Sequence, residues 1–261
     1  MIERWQEALR PNGRIGRTIE AHVSVGSTND RARELLAEGA ADGAVVLSEE
    51  QTAGRGRRGR SWISPPGVNL HVTVALEPAL PSSRAWQLGL GTALATVAAC
   101  RELAPVTLKW PNDVVDADGR KVAGLLIETM ASGDRLVGAV LGIGINVNWP
   151  RGEMPPDIAP TATSLMDLAG TRIDRVRLLA WLLAHIEREV VAIEAGDSPL
   201  ARYRAACSTL GEDVVVLTAD GSVTGTASGL DAHGSLIVDA PDGRHVLASG
   251  EVVQVRPRVP A

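Results

Sequence analysis

Lysine is nearly absent from this sequence of 261 residues, and phenylalanine is absent altogether. Of 26 basic residues only Lys109 and Lys121 are lysines, and the two lie within a stretch of thirteen residues. Arginine therefore supplies almost every position where a generic positive charge is enough. A lysine ammonium is a compact point charge that the planar arginine fork cannot imitate. The bias predicts that these two sites need a small cation.

Cysteine and histidine are also scarce, and neither shows the spacing of a metal site. Cys100 and Cys207 lie far apart, without redox or metal-ligand spacing, which is typical of a protein in a reducing cytosol. The five histidines have no ligand spacing either, so no residue is assigned to a metal. These absences exclude a disulfide scaffold and a structural zinc module.

Long apolar runs are missing as well. The longest candidate, residues 88–100, is much shorter than the roughly 20 residues that cross a membrane, and the first six residues resemble neither a signal peptide nor an anchor. We therefore expect a soluble, cytoplasmic protein with no membrane partner.

The overall charge is acidic, although one short stretch is strongly basic. The net charge is −5, so the composition gives no support for nucleic-acid binding, and no nucleic-acid partner is expected. The apolar share of 45% is ordinary for a globular protein with a sizeable core.

The basic stretch runs from Gln51 to Trp62 between two apolar segments that predict strands. Glycines at 54, 56 and 59 allow positive φ and close approach of the backbone to a ligand. Arginines at 55, 57, 58 and 60 suit phosphate or carboxylate. We interpret the stretch as a loop that binds an anion. The alternative is a solvated, RGG-like segment, which belongs to disordered sequence.

The remaining pattern predicts an α+β protein. A helix begins near Ser27, where Ser27 with Asp30 resembles a capping box, so that residues 27–29 are either caps or ligand contacts. A buried helix spans residues 83–103. A strand through Lys109 should end at Pro111, which leaves Asn112 and Asp113 on the next turn. Further predicted elements are a hairpin of residues 121–130 and 135–148, with glycines at 138, 142 and 144 where a backbone or ligand comes close, and helices over 163–168, 174–194 and 199–207.

After residue 210 the pattern changes to about five short strands, which suggests a small β-barrel module. We place a domain boundary at 209, between a first domain of residues 1–208 and a second of residues 209–261. If the module is separate, a chain cut at 209 should still fold in part.

Several motifs occur in order and together are highly specific: Gly26-Ser-Thr-Asn29, Glu50 to Trp62, Lys109-Trp-Pro-Asn-Asp113, Arg120 to Glu128 and Gly142-Ile-Gly-Ile-Asn-Val-Asn148. Over residues 20–255 the sequence resembles the biotin protein ligases, which attach biotin to carboxylases. The resemblance implies a mixed-sheet catalytic domain of the biotin/lipoate ligase type followed by an SH3-like β-barrel. Only about twenty residues precede the first motif, so the chain resembles the short monofunctional type, without the N-terminal winged helix of the members that double as repressors.

The resemblance also implies a two-step reaction with biotin and ATP as substrates and Mg²⁺ on the phosphates. Biotin attacks the α-phosphate to give biotinyl-5′-AMP, and a lysine of a biotin carboxyl carrier protein, the biotin domain of an acyl-CoA carboxylase, then takes the biotinyl group. The catalytic residues implied are Lys121, Arg57, Arg55 and Asp113. The binding residues implied are Ser27, Thr28, Asn29, Gln51, Gly54, Gly56, Trp62, Asn112, Gly124, Gly142 and Asn146, together with Arg55, Arg57 and Lys121.

Within that set, Ser27, Thr28 and Gln51 would bind the ureido head, and Gly124 and Gly142 would leave space for it. Asn112 and Asp113 would orient Lys121 or the metal. Asn146 and Trp62 would line the nucleotide side. No residue of loop 149–161 is assigned.

Two other functions stay open from the sequence. A lipoate or octanoate ligase shares the fold but has a different glycine-rich signature, and a biotin-responsive transcriptional regulator would need a DNA-binding domain. We expect a monomer or weak homodimer, while the acceptor carboxylase and the order of substrate binding stay undetermined.

Overall fold

A computed structural model describes residues 2–39, 42–63 and 65–256, with the side chains of residues 2 and 254–256 left out. Met1 and residues 257–261, the outer ends of the two predicted domains, lie outside the described residues. The strands are β1 Ile19–Val25, β2 Ala44–Gln51, β3 Leu70–Leu76, β4 Thr107–Lys109, β5 Asp113–Val115, β6 Lys121–Ser132, β7 Arg135–Ile145, β8 Asp213–Leu217, β9 Ser222–Leu230, β10 Leu236–Ala240, β11 Gly243–Leu247 and β12 Glu251–Arg256. The helices are α1 Thr28–Ala37, α2 Trp86–Arg101, α3 Leu165–Ala169, α4 Arg175–Glu194 and α5 Leu200–Ala206, preceded by a 3₁₀ helix over Ile2–Ala8.

The first seven strands form one mixed sheet in the order β1-β2-β3-β7-β6-β5-β4. Strands β1 and β2 run parallel, and the other neighbours pair antiparallel. The predicted hairpin is confirmed as β6 and β7, joined at Ser132↔Arg135. The α+β prediction with a mixed catalytic sheet is also confirmed.

Both faces of this sheet are covered. Helix α1 packs on one face, where Ala32 meets Val46, Ala75 and Val140. Helices α2 and α4 pack against each other on the opposite face. Every residue of β3 is consequently buried. The period-two pattern of residues 68–76 predicts one buried side, and the second side is buried because α1 covers it.

The last five strands form an antiparallel sheet in the order β11-β10-β9-β8-β12. This confirms a small all-β module of SH3-like type after residue 209. Within the described residues, the outer strands β11 and β12 do not pair with each other, so hydrogen bonding does not close the sheet into a barrel. No helix in the described part of the chain is long and apolar enough to span a membrane.

The two sheets share one hydrophobic core. Leu108 and Trp110 belong to the same buried cluster as Val214, Val216 and Leu236 of the C-terminal sheet. The Trp110 indole also donates to the Gly234 carbonyl at 3.1 Å. The boundary at 209 stays a prediction, but the core continues across it.

This continuity changes the expected result of cutting the chain after residue 208. Exposing a buried Val, Leu or Trp costs about 1.5–3 kcal/mol, and several such exposures match the whole stability of a typical domain, roughly 5–15 kcal/mol. The truncated chain should be insoluble or lack fixed tertiary structure, as judged by near-UV circular dichroism and thermal unfolding. A truncated chain with a melting temperature close to that of the intact protein would contradict a shared core.

A buried histidine gives the fold a specific acid sensitivity. His71 on β3 is 1% exposed, and neither ring nitrogen has a hydrogen-bond partner among the described residues. Burial, helped by the charge of Arg175, lowers the pKa of His71 to about 3. The ordinary value is about 6.5. Between these values the unfolded chain binds a proton that the folded protein does not, so stability falls as pH falls below 6.5.

The His71→Leu substitution should remove this component of the pH dependence. Each pH unit below 6.5 should lower the free energy of unfolding by about 1.4 kcal/mol. Between pH 7.5 and 5.0 the wild type should therefore lose roughly 2 kcal/mol more stability than the variant. Urea unfolding at both pH values measures the difference. Identical losses in the two proteins would show that His71 is protonated in the folded state.

Candidate active site

The arginine-rich stretch forms a compact loop between β2 and β3. Its two ends are joined where Trp62 N donates to Gly54 O at 2.8 Å and Gly56 N donates to Arg60 O at 2.7 Å. Positive φ occurs at Arg58 (58°) and Gly59 (75°). Gly54 and Gly56 do not use the left-handed conformation that the sequence suggested for them, because the tight reversal lies at residues 58 and 59.

At the start of α1, three polar side chains are buried beside this loop. Thr28 donates to Gln51 Oε1 from both its backbone N, at 2.9 Å, and its Oγ1, at 3.0 Å. Asn29 donates to Leu126 O at 3.1 Å. Ser27 is the N-cap residue, but its side chain makes no capping hydrogen bond. The capping-box interpretation is therefore wrong, and the buried Ser27 side chain faces the cleft instead.

Residues 112 and 113, between β4 and β6, each contact one of two cations. Lys121 Nζ lies 2.7 Å from Asp113 Oδ1, as an ion pair rather than an aligned hydrogen bond. Arg57 Nη1 donates to Asn112 Oδ1 at 3.2 Å, and Asn112 Nδ2 donates to Leu125 O at 2.8 Å. Asp113 thus pairs with Lys121, whereas Asn112 contacts Arg57 rather than Lys121. Asp113 is the first residue of β5 rather than part of the turn.

Arg57 differs from Arg55 and Lys121, the other two cations of the cleft wall, in the type of partner it has. Arg55 donates to Asp30 Oδ1 at 2.6 Å, and Lys121 is paired with a carboxylate. Arg57 instead bonds to a neutral amide, and its partial burial lowers the pKa of the guanidinium. A half-buried cation without a carboxylate in contact is well suited to accept an anionic ligand.

These side chains line one cleft of about 480 Å³, part of which is continuous with solvent. The predicted binding residues in its wall are Ser27, Thr28, Asn29, Gln51, Arg55, Gly56, Arg57, Trp62, Asn112, Lys121, Gly124 and Gly142.

Gly54 and Asn146 lie outside this wall. Gly54 closes the base of the loop through its carbonyl. Asn146 is buried, and its side chain donates to Lys121 O at 3.3 Å and to Thr163 O at 3.2 Å. In this structure Asn146 therefore holds the backbone at Lys121.

Glycines on β6 and β7 form the floor of the cleft. A Cβ on Gly124 would lie 2.9 Å from Lys121 Nζ, and one on Gly144 would lie 2.5 Å from the Trp62 ring. A Cβ on Gly142 would lie 2.1 Å from Asn29 Oδ1. Side chains of the protein thus occupy the space over these glycines, whereas the sequence suggested a backbone or a ligand there. The space predicted over Gly142 for the ligand contains Asn29.

Three polar residues near the cleft are absent from the predicted set. The hydroxyl of Thr73, a buried polar group on an apolar strand, lies 2.8 Å from Asn29 Oδ1 and 2.9 Å from Thr28 Oγ1. Glu128 accepts from Asn29 at 2.8 Å. Lys109 is opposite Asp113 in the β4–β5 pair, and burial lowers the pKa of its ammonium. The rarity of lysine in the sequence had marked Lys109 as a position that needs a small cation, although it was not assigned to the site.

The C-terminal sheet contacts the same loop from outside. Arg58 donates to Leu217 O at 2.8 Å, and Arg60 forms a two-pronged ion pair with Glu251. The loop is therefore held between the cleft and the second sheet.

Comparisons with known proteins identify the family. Residues 23–146 match the biotin/lipoate A/B protein ligase family, and residues 209–254 match the biotin protein ligase C-terminal domain. A biotin–[acetyl-CoA-carboxylase] ligase of Mycobacterium tuberculosis is 35% identical, over 92% of this chain and 90% of its own length. The chain belongs to the biotin/lipoate A/B protein ligase family.

Other members of the biotin/lipoate A/B protein ligase family agree. A biotin–[acetyl-CoA-carboxylase] ligase of Paracoccus denitrificans is 36% identical, over 87% of this chain and 96% of its own. The bifunctional ligase/repressor BirA of Bacillus subtilis is 32% identical, over 91% and 74%. The biotin protein ligase of Aquifex aeolicus, solved with biotin and ATP, superposes with a TM-score of 0.74 at 30% identity, over 92% and 99% of the two chains.

Proposed function

We propose that this chain is an ATP-dependent ligase that activates biotin as biotinyl-5′-AMP and transfers it to a lysine of a biotin carboxyl carrier protein. The observation that carries the proposal is the arrangement of Arg57 and Lys121. Arg57 bonds to a neutral amide and Lys121 to a carboxylate, and both line one cleft whose wall also contains uncharged polar side chains.

The first step must bring two anions into contact. Biotin's carboxylate attacks the α-phosphorus of ATP, a P–O bond forms, and pyrophosphate leaves with the electrons of the broken P–O bond. Fixed cations aimed at the reacting oxygens offset the repulsion between these anions and the charge that develops. Lys121 and Arg57 supply two such charges in the wall of one cleft, and Asp113 and Asn112 hold them in place.

The uncharged polar residues in the cleft wall suit the other end of biotin. A cyclic urea offers two N–H donors and one carbonyl acceptor, and a buried site must satisfy each of them. Ser27, Thr28, Gln51 and Asn29 provide hydroxyl and amide groups there. The hydrogen bonds between Thr28 and Gln51 keep these two side chains oriented before a ligand arrives.

In the second step, a lysine amine of the acceptor attacks the acyl carbon, and AMP leaves from the tetrahedral centre. The cleft is partly open to solvent, which gives the acceptor a route to the adenylate. We propose that the second domain begins at residue 209 and orders this loop through Arg58 and Arg60. The family-model match over residues 209–254 supports that boundary.

Magnesium is expected to bind together with ATP. The described residues contain no cluster of three His, Cys, Asp or Glu side chains that could hold a metal. Mg²⁺ commonly keeps several waters and binds through substrate phosphates, so we propose that it enters the cleft on the phosphates of ATP.

The remaining parts of the proposal concern the setting. We propose a cytoplasmic location, supported by two buried free cysteines, and a carboxylase biotin domain as acceptor, supported by the names of the relatives. We also propose that the protein acts as a monomer or weak homodimer.

The decisive test supplies the purified protein with MgATP and either biotin or lipoate, and measures pyrophosphate exchange. Exchange is expected with biotin and not with lipoate. A recombinant biotin carboxyl carrier domain added to the biotin reaction should then gain the mass of one biotinyl group. Exchange with lipoate alone would replace the proposal with a lipoate ligase. A gel shift at moderate salt tests the third possibility, a biotin-dependent regulator of DNA.

A further inference from the structure

We propose that Tyr203 is a positioning residue for adenylation, acting through the turn that carries Asn112 and Asp113. The inference rests on the proposed function. Tyr203 is the single tyrosine of a chain that contains no phenylalanine. It lies on α5 and is fully buried.

The Tyr203 hydroxyl contacts this turn directly. It donates to Pro111 O at 3.1 Å, across a sequence separation of 92 residues. Proline has no N–H, so its carbonyl is its single backbone hydrogen-bonding group. The next two residues, Asn112 and Asp113, contact Arg57 and Lys121. The hydroxyl thus binds the backbone one and two residues before the groups that hold Arg57 and Lys121.

The residues on either side of Pro111 have hydrogen-bond partners of their own, and the partner of the Pro111 carbonyl is Tyr203. Trp110 N donates to Thr209 Oγ1 at 3.0 Å, and Asn112 O accepts from Leu125 N at 3.0 Å. These bonds hold the turn at its two ends, and the tyrosine holds its middle. Tyr203 also lies within the electrostatic reach of Arg57 and Asp113.

Packing alone does not require a tyrosine here, because an apolar aromatic of the same size would fill the space equally well. The specific contribution of Tyr203 is therefore its hydroxyl group. A phenol buried in an apolar setting needs a partner, and the Pro111 carbonyl supplies it. Tyr203→Phe removes that single oxygen and keeps the ring. The turn can then relax and move both cations by a fraction of an ångström, a displacement to which catalysis is sensitive.

The expected result for Tyr203→Phe is a drop of about tenfold in kcat for biotin-dependent pyrophosphate exchange. KM for biotin should change less than about twofold, because Thr28 and Gln51 bind the other end of the ligand. The matched control is Thr107→Val. Thr107 Oγ1 donates to Ala206 O at 2.7 Å, so this variant removes a hydroxyl-to-carbonyl bond between the same two segments, away from the turn.

A double-mutant cycle with Asn112→Ala tests the route of the effect. If Tyr203 acts through the turn, Tyr203→Phe should lower kcat much less in the Asn112→Ala background than in the wild type. Unchanged kcat in Tyr203→Phe, equal losses in Thr107→Val, or full additivity in the cycle would overturn the assignment. A wild-type protein without biotin-dependent exchange would instead overturn the proposed function, so the two failures are distinguishable.

Discussion

Lys121→Arg is expected to slow adenylate formation by at least ~100-fold although it conserves charge, the scale on which one misplaced electrostatic donor matters. Lys121 Nζ touches Asp113, and the end of the side chain lies directly over Gly124, where a Cβ would be 2.8 Å from Lys121 Cε. The Trp62 ring lies beside it, with its centroid 5.3 Å from Nζ and its edge also over Gly124. A guanidinium is longer, planar and bulkier, so it must displace Trp62 or enter the ligand space.

Lys109→Arg provides the matched comparison, because it makes the same chemical change in the other lysine of the chain. Lys109 is opposite Asp113 on β4 and is not part of the cleft wall. A larger cation there should cost less than about tenfold, through the shared field at Asp113. Pyrophosphate release at saturating biotin and ATP measures both variants. A near-wild-type rate for Lys121→Arg would contradict the requirement for a compact ammonium at this position. The retention of two lysines would then be an accident of composition.

The sequence was sufficient to predict the elements that carry the cleft. Residues of the cleft wall come from short motifs at the ends of strands, where glycine, arginine and proline have strong local effects on the backbone. The loop at residues 51–62, the turn after Lys109 and the β6–β7 hairpin are local features, which explains why their positions could be predicted. The SH3-like module was predictable for the same reason, since its turns are marked by Asp-Gly and His-Gly pairs.

Contacts between distant segments could not be predicted in the same way. The capping-box interpretation of Ser27 used only its neighbours, whereas Gln51, from another strand, bonds to Thr28 and determines the local geometry. The second buried face of β3 depends on where α1 packs. Gly142 was correctly identified as a site of close approach, but the group that approaches, Asn29, lies 113 positions earlier in the chain and left no local signal. Tyr203 was missed entirely for the same reason.

Arg57→Gly is expected to turn the protein into a promiscuous biotinylating agent. Arg57 contacts the neutral Asn112 amide and, in the proposed reaction, pairs with the adenylate phosphate. Charge-assisted hydrogen bonds are each worth about 1.5–3 kcal/mol, so losing them should release the activated intermediate roughly 10–100-fold faster. Free biotinyl-5′-AMP reacts with any exposed lysine amine, and bystander proteins should therefore become biotinylated.

The control that isolates the phosphate contact is Arg58→Gly, which removes an adjacent charge from the same loop. Arg58 has a φ of 58°, which glycine adopts without strain, and its guanidinium points to Leu217 O of the C-terminal sheet rather than into the cleft wall. Labelling of serum albumin with biotin and MgATP should rise steeply for Arg57→Gly and stay near the wild-type level for Arg58→Gly. Equal labelling by the two variants would mean that loop charge or loop mobility, and not the contact of Arg57, retains the intermediate. If Arg57→Gly retains biotinyl-5′-AMP as tightly as the wild type, Lys121 and the remaining arginines must bind the phosphate instead. An anion in a half-buried cleft must still be neutralised.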